Sequence, residues 1–122
     1  MKSISILLTQ SLIQDDLILK DKNVIILDVL RATTTMTIAL SNGAKEIIPT
    51  ENIATAVRVA KGSKNSLLCG ERNGKTIEGF SLGNSPLEYT PEVIKDKSLI
   101  FSTTNGTLAI IKSKFAKISI LC

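Results

Sequence analysis

Six short apolar runs recur along the chain, and what separates them decides the fold class. The runs are "SISILLT" (residues 3–9), "NVIILDV" (23–29), "KEIIPT" (45–50), "SLLCG" (66–70), "KSLIFSTT" (97–104) and "AKISILC" (116–122). Each has strand length and is mostly uninterrupted by charge, the pattern of a strand buried on both faces of a parallel sheet. Three helix-type segments lie between them. "RATTTMTIALSNG" ends in Asn42-Gly43, a helix stop, and "ENIATAVRVAKG" sets Ile53, Ala56, Val57 and Ala60 on one face before Gly62. "NGTLAIIKSKF" is the third, and "QSLIQDDLILKDK" (10–22) is a connector with no clear element. Strand–helix–strand repeats fold as right-handed crossovers. The expected fold is therefore α/β: a mainly parallel sheet with helices packed on both faces, three-layer α/β/α, in one domain over residues 1–122. Aromatic residues are only 3% of the chain, so Ile, Leu, Val and Ala must fill the core.

In such sheets ligands bind beyond the carboxyl ends of the strands. Three polar clusters fall at that edge. The first is "DVLRATTT". Asp28 is suited to ligate Mg²⁺ or to act as a nucleophile, and Arg31 offers a planar fork for phosphate or sulfonate oxygens. Thr33, Thr34 and Thr35 stand where a helix start favours anions. Ordinary capping by Asp28 and a threonine accounts for the same residues, but a β-branched run is poor helix sequence, which favours a site. The second cluster is "CGERNGKTIEGFSLGNSP". Residues 70–91 hold four of the seven glycines and two of the three prolines, so they break the strand–helix pattern. Glu71 and Glu78 are candidate metal ligands there, and Arg72 a second anion clamp. The third, "STTNGT" (102–107), resembles a phosphate cradle, although Asn-Gly before a helix is also a common turn.

Much is excluded. The chain has no histidine, which removes Ser-His-Asp triads, Cys-His pairs and histidine ligands. Cys69 and Cys122 have no disulfide or zinc spacing and read as reduced thiols of a cytoplasmic protein. A net charge of +4 is scattered among acids, with Lys112, Lys114 and Lys117 as the one small cluster. This suits an anionic small-molecule substrate, not nucleic acid. The apolar start is too short for a signal peptide, and no segment has transmembrane length, so no membrane is expected. A phosphoaspartate Asp-x-Asp motif would need an acid at Leu30. A Cys-x5-Arg phosphatase loop from Cys69 would need arginine at Lys75, and lysine lacks the fork.

The stretches "DVLRATTT", "NGAKEIIP", "GERNGKTIEGFSLGNSPLEYTPE" and "STTNGT" together resemble the 2-phosphosulfolactate phosphatase family, in family order and spacing across nearly the whole chain. The resemblance implies a Mg²⁺-dependent hydrolase that converts 2-phosphosulfolactate to sulfolactate and phosphate in coenzyme M biosynthesis. Asp28, Arg31 and Glu71 would be catalytic, with Asp28, Glu71 and Glu78 around the metal. Thr33, Thr34, Arg72, Asn84, Ser85, Thr103, Thr104, Asn105, Gly106 and Thr107 would bind substrate. Family members are about twice this long, and the match is to their N-terminal half. The chain is thus expected to be incomplete, with the apolar "KISILC" left uncovered and self-association or the missing half as its relief. Two rival functions stay open: a non-catalytic anion-binding or assembly domain, and a phosphatase of another phosphorylated hydroxy acid.

Overall fold

The computed structural model describes residues 3–122. Two short 3-10 turns, Gln10–Leu12 and Asp16–Leu19, precede β1 (Asn23–Ile26) and α1 (Ala32–Ser41). Then come β2 (Glu46–Pro49), α2 (Ile53–Lys61), β3 (Ser66–Arg72) and the two-residue β4 (Lys75–Thr76). A 3-10 turn at Pro86–Glu88 leads to α3 (Pro91–Ile94), β5 (Ser98–Ser102), α4 (Gly106–Lys112) and β6 (Ile118–Leu121). Five of the six expected strands form. The exception is "SISILLT": residues 3–9 are in no strand, because they pair with no neighbour.

The class is α/β with parallel pairing dominant, but the strands divide into two sheets. One has the order β2-β5-β3-β4, the other is β1 beside β6. Every pairing between named strands is parallel except the β3–β4 hairpin. β5 is central, and all five of its residues are buried. Leu99 and Phe101 join a core cluster with Ala32, Met36 and Ala39 of α1, Cys69, Tyr89 and Ile94. Ile100 alternates to the opposite face of the strand and is equally buried. α2 packs on β3 and β5, while α4 bridges the two sheets by touching both β1 and β2.

Local chemistry sets the helix ends. The Asn52 side chain accepts the Thr55 N–H at 2.8 Å to cap α2, and Arg58 and Lys61 lie in its last turn, where cations favour the helix dipole. After α1, Gly43 takes φ +95°, and the Asn42 amide donates to the Tyr89 carbonyl at 2.8 Å. The Tyr89 ring stacks on Phe101 at 5.5 Å, and its hydroxyl donates to the Gly83 carbonyl at 2.6 Å.

Burial pushes the Cys69 thiol up to about 12, whereas Cys122 is exposed. Only thiolate reacts with alkylating reagents. The native chain should therefore titrate one thiol at neutral pH and two in denaturant, as read by a colorimetric thiol assay. Two fast thiols in the native state would mean that the sheet around Cys69 is open.

Candidate active site

Parallel strands deliver their carboxyl ends to one edge, and the three polar clusters meet there. A cleft of about 300 Å³ is lined by Asp28, Leu30, Arg31, Glu71, Asn73, Gly74, Asn84, Thr104 and Asn105. Asp28 and Arg31 follow β1, Glu71 lies near the end of β3, and Thr104 and Asn105 follow β5. The expected convergence of Asp28, Arg31, Glu71 and Asn105 is thus observed. Asn73 and Gly74 were not singled out from sequence. Their positive φ values, 53° and 75°, make the two-residue turn between Arg72 and Lys75, and Asn-Gly after a strand was the available signal.

Glu71 braces this edge. One carboxylate oxygen accepts the Thr104 N–H at 2.7 Å; the other accepts the Gly74 N–H at 2.9 Å and the Thr104 hydroxyl at 3.1 Å. Burial pushes its pKa up, but the bonds from Thr104 and Gly74, with Arg72 nearby, outweigh this and hold it below the ordinary 4.5. A lowered folded-state pKa gives stability that is complete above the unfolded value and is lost as pH falls through the folded one. The chain should therefore lose stability from about pH 4.5 downward, and Glu71→Gln should remove that component. Urea midpoints against pH test this; equal acid slopes for the two proteins would show that Glu71 does not carry the effect.

The threonines hold the cleft's loops. Thr33 Oγ1 accepts the Asp28 N–H at 2.9 Å and donates to the Cys122 carbonyl, joining the ends of β1 and β6. Thr34 donates to the Val29 carbonyl at 2.7 Å, and Thr35 to the Asn84 carbonyl at 2.9 Å. Thr103 and Thr107 are buried and bond each other reciprocally, each N–H to the other's Oγ1 at 3.0 Å, capping α4. The hydroxyls of Thr33, Thr35, Thr103 and Thr107 thus bond backbone partners, and none of these four residues lines the cleft. Gly106 serves approach: a Cβ there would lie 2.5 Å from Ala32 Cβ and 3.0 Å from Asp28 Oδ2.

Three further candidates do not line the cleft. Arg72 does not line the cleft; its guanidinium donates to the Glu71 carbonyl at 2.7 Å and to Ser102 Oγ at 2.8 Å. Ser85 faces the Glu88 carboxylate, which accepts its N–H at 3.2 Å and that of Gly83 at 2.7 Å. Glu78 is exposed on the turn before Gly79, outside the cleft. Among the described residues no three Asp, Glu, Cys or His side chains group as a metal site.

What remains free in the cleft is informative. Arg31 makes no ion pair among the described residues, so its fork is available. Asn84 is 7% exposed, and its Oδ1 has no hydrogen-bond partner among the described residues. Natural proteins rarely leave such an atom unpaired without a bound species. Asp28, Arg31 and Asn84 thus line the same cleft, with the unpaired Asn84 Oδ1 buried in its wall.

The sequence profile of the 2-phosphosulpholactate phosphatase family matches residues 7–122. The chain is 52% identical over 105 residues to a probable 2-phosphosulfolactate phosphatase of Caldanaerobacter subterraneus subsp. tengcongensis, covering 84% of this chain and 44% of that protein. A protein of the same name from Clostridium novyi is 44% identical over 115 residues, covering 93% of this chain and 48% of its own length. One from Caldicellulosiruptor saccharolyticus is 50% identical over 105 residues, with 86% and 43% covered. The chain therefore spans a little under half the length of these curated relatives. With its cleft residues inside the matched region, the chain belongs to the 2-phosphosulpholactate phosphatase family.

Proposed function

We propose that this chain supplies one part of the active site of a Mg²⁺-dependent phosphatase. The reaction adds water to the phosphomonoester of 2-phosphosulfolactate and releases sulfolactate and phosphate, a cytoplasmic step toward coenzyme M. The observation that carries the reading is that Asp28, Arg31 and Asn84 line one cleft, with Arg31 in no ion pair among the described residues.

The donor set fits Mg²⁺, which takes one or two carboxylates and neutral oxygens and fills the rest of its shell with water and substrate. Asp28 and Asn84 would hold it. Glu71 is less available, since three of its roughly four acceptor positions are filled. The ion, when bound, neutralises phosphoryl charge and makes water more acidic. Arg31 grips phosphate or sulfonate oxygens in a bidentate fork. Thr104 and Asn105, both exposed at the rim, are the third cluster's remaining substrate donors. Glu71 positions Thr104 by holding its N–H and hydroxyl.

The chain's share of the relatives' length favours a second form of this reading: the isolated chain binds the anion, and turnover needs the remaining polypeptide. The test uses the isolated chain and a chimera in which it replaces the matched part of the Caldanaerobacter relative. Phosphate release from 2-phosphosulfolactate and from a generic phosphomonoester is followed with and without Mg²⁺. The chimera should turn over and the isolated chain should do so weakly or not at all. Arg31→Lys should raise the chimera's KM about ten- to hundredfold, because a charged hydrogen bond is worth roughly 1.5–3 kcal/mol. A chimera inert toward both esters would overturn the reaction class; unchanged kinetics in Arg31→Lys would reduce Arg31 to a structural residue.

A further inference from the structure

Among the described residues, the β1–β6 sheet leaves an apolar face largely exposed. Asn23 pairs with Ile118 and Ile25 with Ile120, so these side chains share one face, with Val24, Ile26, Ser119 and Leu121 on the other. The second face looks inward: Ile26 is buried, and Leu121 packs on the core cluster. The first does not. Ile25 is 62% exposed, Ile118 50% and Ile120 51%, and Leu27, just beyond β1, is 69% exposed. Parallel strands are almost always covered on both faces, and two strands alone are too few for independent stability. The segment at residues 3–8 adds to this. It has strand-type sequence but no ladder, and Ile4, Ile6 and Leu8 are 94%, 80% and 89% exposed.

We propose that the Ile25–Ile118–Ile120 face is the docking surface for the part of the family-length polypeptide that this chain does not contain. The occupant is chosen by length: the relatives carry more than half their residues outside the match. A contiguous apolar face on an open parallel pair is what such a segment would bury. The same surface lies on the strands whose ends carry Asp28 and Cys122, so covering it also steadies the cleft. The proposal stands apart from the phosphatase reading, because docking can occur whatever the cleft binds.

The test compares one substitution pair in two proteins. Ile25→Lys with Ile120→Lys, made in the isolated chain, should leave its Tm unchanged, since both side chains already face water. In the chimera the same pair would bury charge, and Tm should fall by many degrees or the fold be lost. Ile25→Cys in a Cys122→Ser background gives a second reading that requires no large perturbation. A thiol reagent should label it rapidly in the isolated chain and at least about tenfold more slowly in the chimera. Equal labelling in both proteins, or an unchanged chimera Tm, would overturn the proposal. So would an isolated chain that sediments as a dimer and is dissociated by the lysine pair while the chimera is unaffected, for then the occupant is a second copy.

Discussion

Gly70→Ala should leave no cooperatively folded chain. An ideal Cβ at Gly70 would overlap the carbonyl oxygen of Ser102 and lie 2.8 Å from its carbonyl carbon, and φ is +142°. Both clashing atoms are backbone of β5, the central buried strand, so no side chain can swing aside. Relief requires β3 to part from β5 at Gly70↔Ser102, the pair that ends their ladder beside the cleft. Overpacking alone costs about 1–3 kcal/mol. A lost ladder end and a strained φ should raise the total to about 5 kcal/mol or more, comparable with the whole stability of a small domain. Urea unfolding followed by circular dichroism checks this. Gly79→Ala is the control: φ is +81°, yet nothing lies within 4 Å of the added methyl, and the cost should be about 1 kcal/mol. Similar midpoints for the two variants would show that the β3–β5 contact yields more easily than its geometry implies.

Asp28→Asn should abolish turnover in the chimera while sparing the fold. The substitution keeps shape and removes charge. Asp28's structural bonds are made by its backbone: its N–H donates to Thr33 Oγ1, and its carbonyl accepts the Thr33 N–H at 3.0 Å. The proposed role, holding Mg²⁺ or attacking phosphorus, falls to the carboxylate, which makes no hydrogen bond among the described residues. Residues that merely support a metal ligand are worth about 10–100-fold, so the loss here should exceed about a hundredfold in kcat. An unchanged urea midpoint would assign that loss to chemistry. Retained kcat would remove Asp28 from the reaction and leave the cleft without its central carboxylate.

The strands and helices were largely legible, because apolar runs and helix stops report burial locally. "SISILLT" was not, since a strand exists only with a neighbour and sequence cannot show that one is missing. The cleft was legible at Asp28, Arg31, Glu71 and Asn105, whose chemistry and strand-end positions coincide. The bracing bonds of the threonines were not legible, because their partners are distant in sequence: Thr33 reaches Cys122 and Thr35 reaches Asn84. Glu71 and Glu78 look alike in the chain, yet only Glu71 lines the cleft. Asn84's unpaired oxygen was invisible, since it depends on what every neighbour does.

The hydroxyl clasps of Thr34 and Thr35 have a consequence for ionic strength. They fasten the loops at Val29 and Asn84 with uncharged donors and carbonyls, which salt hardly screens, while the anion grip proposed for Arg31 would act through charge that salt does screen. Scaffold and grip should separate in a salt titration. Anion affinity should fall as the Debye length shrinks, with the loops carrying the cleft unmoved.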